Sequence, residues 1–314
     1  MMVASSLAPR PVATAGDAQA WEAALASLGY IRDTVLITRG DDDLIDALIF
    51  TTALDANVTP VSRDPDLQVA YGGVAVSAPD ELRRPVSINA VAQSLRLPFE
   101  TVRRRFQGLA REGLCLIGPQ GVIVPRSADT SPAYIATQRA RYERARSFHQ
   151  DLAAKGALPG AELAQTWPPA AEPLVRAANR ALSEYVLRAC NDLIALTGDV
   201  LSSLVLLELV LANTAALTTA ELDAWRRAPE QLGRPVRIAA LAVPLRLSRE
   251  TVRRRLTMLE ATSFCRRTSG GLIATAPPSA WPALARLVDA NQANLRRLFT
   301  RLGQLGVVTA SERP

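Results

Sequence analysis

The sequence predicts a mainly α protein with small β-hairpins, built from two copies of one unit. Three observations predict it. Ala and Leu fill most apolar positions and aromatics make up only 5% of the 314 residues, which favours helices over a β-sandwich. A block of sequence recurs at an offset of 150 residues. Within each copy the apolar spacing changes from helical to short and glycine-bounded, the pattern of helices followed by a hairpin.

The repeat is explicit. RPVSINAVAQSLRLPFETVRRRF from Arg84 matches RPVRIAALAVPLRLSRETVRRRL from Arg234, with 19 identities in the 40 ungapped positions of 84–123 and 234–273. Self-similarity at a fixed offset signals repeated architecture. Upstream, Ala56-Asn57 aligns with Ala212-Asn213 at an offset of 156; downstream, Ser131-Pro132 aligns with Trp281-Pro282. Residues 1–16 are expected to be disordered. Residues 17–157 form the first unit, 158–173 a Pro, Gly and Ala-rich connector, and 174–314 the second unit.

The elements follow in order. Asp41-Asp42-Asp43 reads as a helix N-terminus, where negative charge is favourable, ahead of an opening helix at 44–56. Its counterpart is 201–212. Both are apolar on more than one side and are expected to be buried between units or at a dimer interface. Thr59–Val76, with Pro, Asp and Gly-Gly, reads as a loop. Ile88, Val91, Ala92 and Leu95 then recur at helical spacing, and after a short break Val102, Phe106 and Leu109 form the stripe of a second helix, Phe99–Arg111. Two short helices across a tight turn are a helix-turn-helix, placed at 87–112. Leu114–Ile117 and Val122–Pro125 flank a Gly-Pro-Gln-Gly turn and form a hairpin, the wing, over 114–125. The second copy repeats these pieces as a helix-turn-helix at 237–261 and a wing at 264–275. Ser248 is a good N-cap, and Pro244 is expected to shorten or bend its helix. A long helix near 177–196 leads into this unit. The whole is therefore two tandem winged helix-turn-helix domains related by internal duplication.

Charge gives the module a partner. The chain carries +6 overall, almost all of its positive charge as Arg. Residues 83–112 hold seven Arg against two Glu, and 233–267 hold nine against two, so the basic charge is concentrated in the repeats. A basic helix with an outward polar face suits double-stranded DNA. Arg104 and Arg254 point furthest from the apolar stripes and are the expected base readers, because an Arg fork can donate to guanine O6 and N7 together. Arg103, Arg105, Arg253 and Arg255 lie on the flanks and suit phosphates. Thr101 and Thr251, in the first helical turns, suit a phosphate near the helix N-terminus. Glu100 and Gln107 share the outward face, and Arg96 and Arg246 in the turns complete the candidate set.

LSRETVRRRLTMLE, from Leu247 to Glu260, resembles the recognition helix of the cyclic-AMP receptor/FNR family of regulators. The resemblance implies base-reading roles for Arg249, Glu250 and Arg254, with Ser248 beside them. It covers about 30 residues and implies nothing about a signal. The first copy departs from the pattern: Pro98 and Phe99 stand where Ser248 and Arg249 stand.

Other classes are disfavoured. Phosphate-loop, HExxH and GxSxG patterns are missing from the sequence, which has one histidine, so neither an enzyme nor a cofactor is expected. Cys115, Cys190 and Cys265 have no zinc spacing and read as buried thiols of a cytoplasmic protein. His149 reads as a surface residue, and Trp21, Trp167, Trp225 and Trp281 as packing anchors. The apolar run 200–212 is too short to span a bilayer, so no membrane is expected. The expected function is a bacterial-type, sequence-specific transcription regulator. A structural subunit of a chromosome-organising complex and a plasmid-type replication initiator are the alternatives. Pairing of the two units within one chain and homodimerisation through the terminal helices both stay open, and the sequence indicates no effector.

Overall fold

The computed structural model describes residues 15–161, 163, 164 and 172–309. The expected disorder at 1–14, half of the expected connector and Trp167 lie outside these residues. The protein is mainly helical with two small antiparallel hairpins. The first half runs α1 (Ala15–Arg39), α2 (Leu44–Asn57), the short α3 (Thr59–Arg63) and α4 (Pro65–Ala70), then α5 (Ile88–Leu95), α6 (Phe99–Arg111), β1 (Leu116–Gly118), β2 (Gly121–Ile123), the short α7 (Arg126–Asp129) and α8 (Pro132–Ala154). The second half runs α9 (Val175–Thr197), α10 (Val200–Thr214), the short α11 (Thr219–Arg227) and α12 (Pro229–Leu232), then α13 (Ile238–Leu245), α14 (Arg249–Ala261), β3 (Cys265–Thr268), β4 (Gly271–Ala274) and α15 (Trp281–Gln304).

The helix ends follow local chemistry. Asp43 caps α2 and Asp199 caps α10, each accepting from two backbone N–H groups. Ser87, Ser131 and Ser248 cap α5, α8 and α14. The expected loop over 59–76 instead starts with α3 and α4, because Pro60 and Pro65 sit in their first turns and Asp64 caps the second. Ala15 and Gly16, expected to be disordered, open α1. Pro244 does not shorten α13 relative to α5: both have 8 residues. It stands one residue from the helix end, so it removes a single donor. Arg246 and Leu247 N–H then close the helix on Val243 and Ala242 carbonyls.

Each hairpin is tied to the segment before its helix pair. Val86 bridges Val122, and Val236 bridges Leu272. The glycine at each tip is required by that approach. Gly121 has φ +130°, and a Cβ there would lie 2.5 Å from the Val86 carbonyl oxygen; at Gly271, φ +142°, it would lie 2.7 Å from that of Val236. A buried asparagine completes each junction. Asn57 donates to the Arg84 and Val122 carbonyls at 2.8 and 3.0 Å and accepts from Val124 N–H at 2.8 Å. Asn213 does the same with Arg234, Leu272 and Ala274, at 2.7, 3.1 and 2.7 Å.

The buried residues of both halves join in one contiguous core. At its centre α1 and α9 each lie against both α8 and α15. Tyr30 of α1 stacks on Phe148 of α8 with centroids 4.4 Å apart, and Phe299 of α15 packs on the same Phe148 at 5.9 Å. Trp21 of α1 meets Trp281 of α15 at 6.2 Å. Cross-contacts are reciprocal: Arg141 of α8 donates to Ser183 of α9 at 2.9 Å, and Asn291 of α15 donates to Ser27 of α1 at 3.1 Å. His149, expected at the surface, is fully buried edge-on against Phe299, because α8 is covered on several sides. Helix α10 is buried along most of its length, whereas α2 is buried mainly on one face. No single described helix is long and apolar enough to cross a membrane.

Candidate nucleic-acid interface

Helices α6 and α14 each bury one stripe and present the opposite face. Val102, Phe106 and Leu109 are buried in α6; Val252, Leu256 and Leu259 are buried in α14. Each stripe packs on the opening helix of its half and on its helix partner. The thiols of Cys115 and Cys265 lie behind them, directed at the Phe106 and Leu256 carbonyls, and burial raises the two thiols to about 11 and about 12. They stay protonated at neutral pH, which fits a core role.

The outward faces carry the arginines unequally. Arg104 is exposed and makes no hydrogen bond or ion pair among the described residues. Arg254 is 73% exposed and is steadied by Glu250, which accepts from its Nε at 2.8 Å. Glu250 also accepts from Arg253 at 2.8 and 2.7 Å. Hydrogen bonds from Arg253 and Arg254 hold the Glu250 carboxyl down to about 2, so it is charged throughout the physiological range. Glu100 holds Arg103 in the same way but leaves Arg104 free. Gln107 and Arg249 are exposed, and Thr101 is half-buried in the first turn of α6. The Thr251 hydroxyl is engaged by the Ser248 hydroxyl at 2.8 Å, within the cap of α14.

Arg105 and Arg255, expected on the flanks as phosphate contacts, are partly buried and pair within the chain. Arg105 reaches Asp46 at 2.9 Å and Asp43 at 3.4 Å; Arg255 reaches Asp199 at 2.8 Å. Each is turned toward the N-terminus of the opening helix, one flank of α6 or α14 being the side that packs there. The third arginine of each triplet therefore orients the helix against the core.

The turns are also paired. Arg96 and Arg246 both adopt the left-handed conformation at φ 47°. Glycine takes this conformation without strain, and a side chain there costs about 1 kcal/mol. Arg96 is exposed, whereas Arg246 lies 3.0 Å from Asp41 in the α1–α2 loop, so the first half touches the second helix pair.

The hairpins differ most. At equivalent positions the first has Leu116 and Ile117, 57% and 45% exposed, and the second has Arg266 and Arg267. These two arginines were not among the residues expected at the interface. Their signal was present in the aligned repeat, where Leu-Ile is replaced by Arg-Arg. Phe99, 48% exposed, occupies the place of Arg249. Comparison with known protein families, with curated proteins and with solved structures gave no match.

Proposed function

We propose that the chain is a sequence-specific, double-stranded-DNA-binding transcription regulator made of two winged helix-turn-helix units that arose by duplication. The observation that carries this reading is the outward display of Arg104 and Arg254 at equivalent positions of two helices whose opposite faces are buried. A helix fits the major groove, and a bidentate Arg–guanine pair discriminates by about 1–3 kcal/mol. The bridge of Val86 to Val122, and of Val236 to Leu272, supplies the strand that a winged unit places before its helix pair.

The two units are unequal readers. The second offers Arg249, Arg253, Arg254 and a charged hairpin, with Glu250 holding Arg254 in advance of contact. The first offers Arg103 and Arg104 beside exposed Phe99, Leu116 and Ile117. The reciprocal packing of α1 and α9 favours pairing of the units within one chain over a homodimer through the terminal helices, since those helices are used inside the core.

Random-library DNA selection with the intact protein, repeated with Arg254→Ala and Arg255→Ala, tests the reading. Arg254→Ala should lower affinity for the selected site by about 5- to 150-fold and leave the melting temperature unchanged. Arg255→Ala should lower the melting temperature. Binding that lacks salt dependence, or base preference that survives Arg254→Ala, would overturn it.

A further inference from the structure

Between α2, α8 and α9 lies a cavity of about 590 Å³. Small-molecule sites span about 300–1,000 Å³. One wall is apolar: Phe50 and Leu54 of α2 with Tyr134 of α8, the two rings edge-on at 6.2 Å. The other is polar and consists of two rungs joining α8 to α9. Asn179 donates to the Gln138 carbonyl and side-chain oxygens at 2.8 and 2.9 Å, and Arg141 donates to Ser183 at 2.9 Å. The rungs are about one helical turn, about 5 Å, apart.

Each rung leaves one group unused. Asn179 and Arg141 are 3% and 5% exposed, yet among the described residues Asn179 Oδ1 and Arg141 Nε have no hydrogen-bond partner. Arg141 makes no ion pair among the described residues. A buried guanidinium with an unpaired N–H is costly, and such an exception calls for a reason. Asp55 of α2 lines the same cavity, its carboxyl pushed up to about 6 by burial, against the pull of Arg141 and with the push of Glu184.

The second half carries a matched cavity that lacks this chemistry. At offsets of 156 along α10 and 150 along α15, Phe50, Leu54 and Tyr134 become Leu206, Val210 and Leu284, all lining a cavity of about 190 Å³. Asp55 becomes Leu211, and Arg141 becomes Asn291, which is satisfied by Tyr185 and Ser27. The scaffold is shared; the unused donor, acceptor and acid are particular to the larger cavity.

We propose that the first-half cavity is an effector site for a small zwitterion of the amino-acid type. Its carboxylate meets Arg141, its ammonium lies against Asp55, and its apolar side chain rests on Phe50, Leu54 and Tyr134. Leu109 and Glu112, at the end of α6, also line the cavity, and so does Asp46, which holds Arg105. Occupancy thus acts on the seat of the first recognition helix. This regulatory half of the inference rests on the DNA-binding reading; the site itself does not.

Isothermal titration calorimetry of the full chain with L-phenylalanine and L-leucine tests the site, with 3-phenylpropionate and phenethylamine as the single-charge counterparts. An amino acid should bind at least about tenfold more tightly than either counterpart. Arg141→Gln should weaken it by at least about tenfold, with circular dichroism checking the fold. Asp55→Asn, a near-isosteric change, should abolish the preference for the amino acid over 3-phenylpropionate. No heat with either amino acid up to about 10 mM, or an affinity unchanged in both variants, would overturn the site. DNA affinity measured with and without amino acid should differ by at least about fivefold. If DNA is not bound at all, the regulator reading fails while calorimetry still decides the site. If DNA and amino acid bind without affecting each other, the regulatory half is overturned.

Discussion

Replacing Asn57 with alanine should destabilise the protein by about 3 kcal/mol. The amide makes three hydrogen bonds, and their loss is unequal. The Val122 carbonyl keeps the bond it accepts from Val86 N–H, so it loses little. The Arg84 carbonyl belongs to an exposed residue and can turn to water, at about 1 kcal/mol. The Val124 N–H belongs to a fully buried residue and loses its acceptor outright, at about 2 kcal/mol. Urea denaturation followed by circular dichroism should show the midpoint falling with the slope unchanged. Amide exchange at Val124 should accelerate. Asn57→Asp keeps the acceptor for Val124 but aims a carboxylate oxygen at two carbonyls, so it should cost at least as much at pH 7. A loss below about 1 kcal/mol for alanine would refute the assignment of this side chain as the hairpin's anchor.

Two further outcomes follow from the same geometry. Gly271→Ala places a Cβ 2.7 Å from the Val236 carbonyl oxygen at a φ of +142°, so it should cost more than about 2 kcal/mol in urea denaturation, whereas Gly270→Ala should cost less. Asp55 has a carboxyl raised from 3.8 to about 6, so the folded state binds its proton more tightly than the unfolded chain does. That preference penalises folding once pH rises through about 6, and it vanishes below the unfolded value. The gap corresponds to about 3 kcal/mol, discounted to about 2 for partial exposure. Asp55→Asn should therefore stabilise the ligand-free protein at pH 8 and have little effect at pH 3.5, as read by thermal melting at both pH values.

The two helix pairs and their hairpins were legible because their information is local. Val102, Phe106 and Leu109 set the stripe of α6 by spacing alone, and Gly121 and Gly271 mark turns by residue type. What the sequence hid were partners far along the chain. Arg104 and Arg105 are adjacent letters in one triplet, yet one faces solvent and the other meets aspartates near the start of α2, 59 residues away in the case of Asp46. Ala56-Asn57 was visible as a faint match to Ala212-Asn213, but nothing local says that a buried amide ties three segments together. Helix α1 carries apolar residues on several sides because several helices surround it, so it offers no single stripe to detect. His149 misled for a related reason. Its arginine-rich surroundings suggested solvent, whereas Arg141, earlier in α8, is itself buried and Arg144 pairs with Asp33 at 2.9 Å.

The reciprocal packing of the central helices has a consequence for the order of synthesis. Phe148 and His149 are made near the middle of the chain, but Phe299 of the last helix completes their enclosure. Until α15 leaves the ribosome, the nascent first half shows water the face where Phe148 and His149 are later sealed. Translation therefore delivers the protein to a single late closure rather than to two successive ones, and the interval before it is when the chain most needs protection from aggregation.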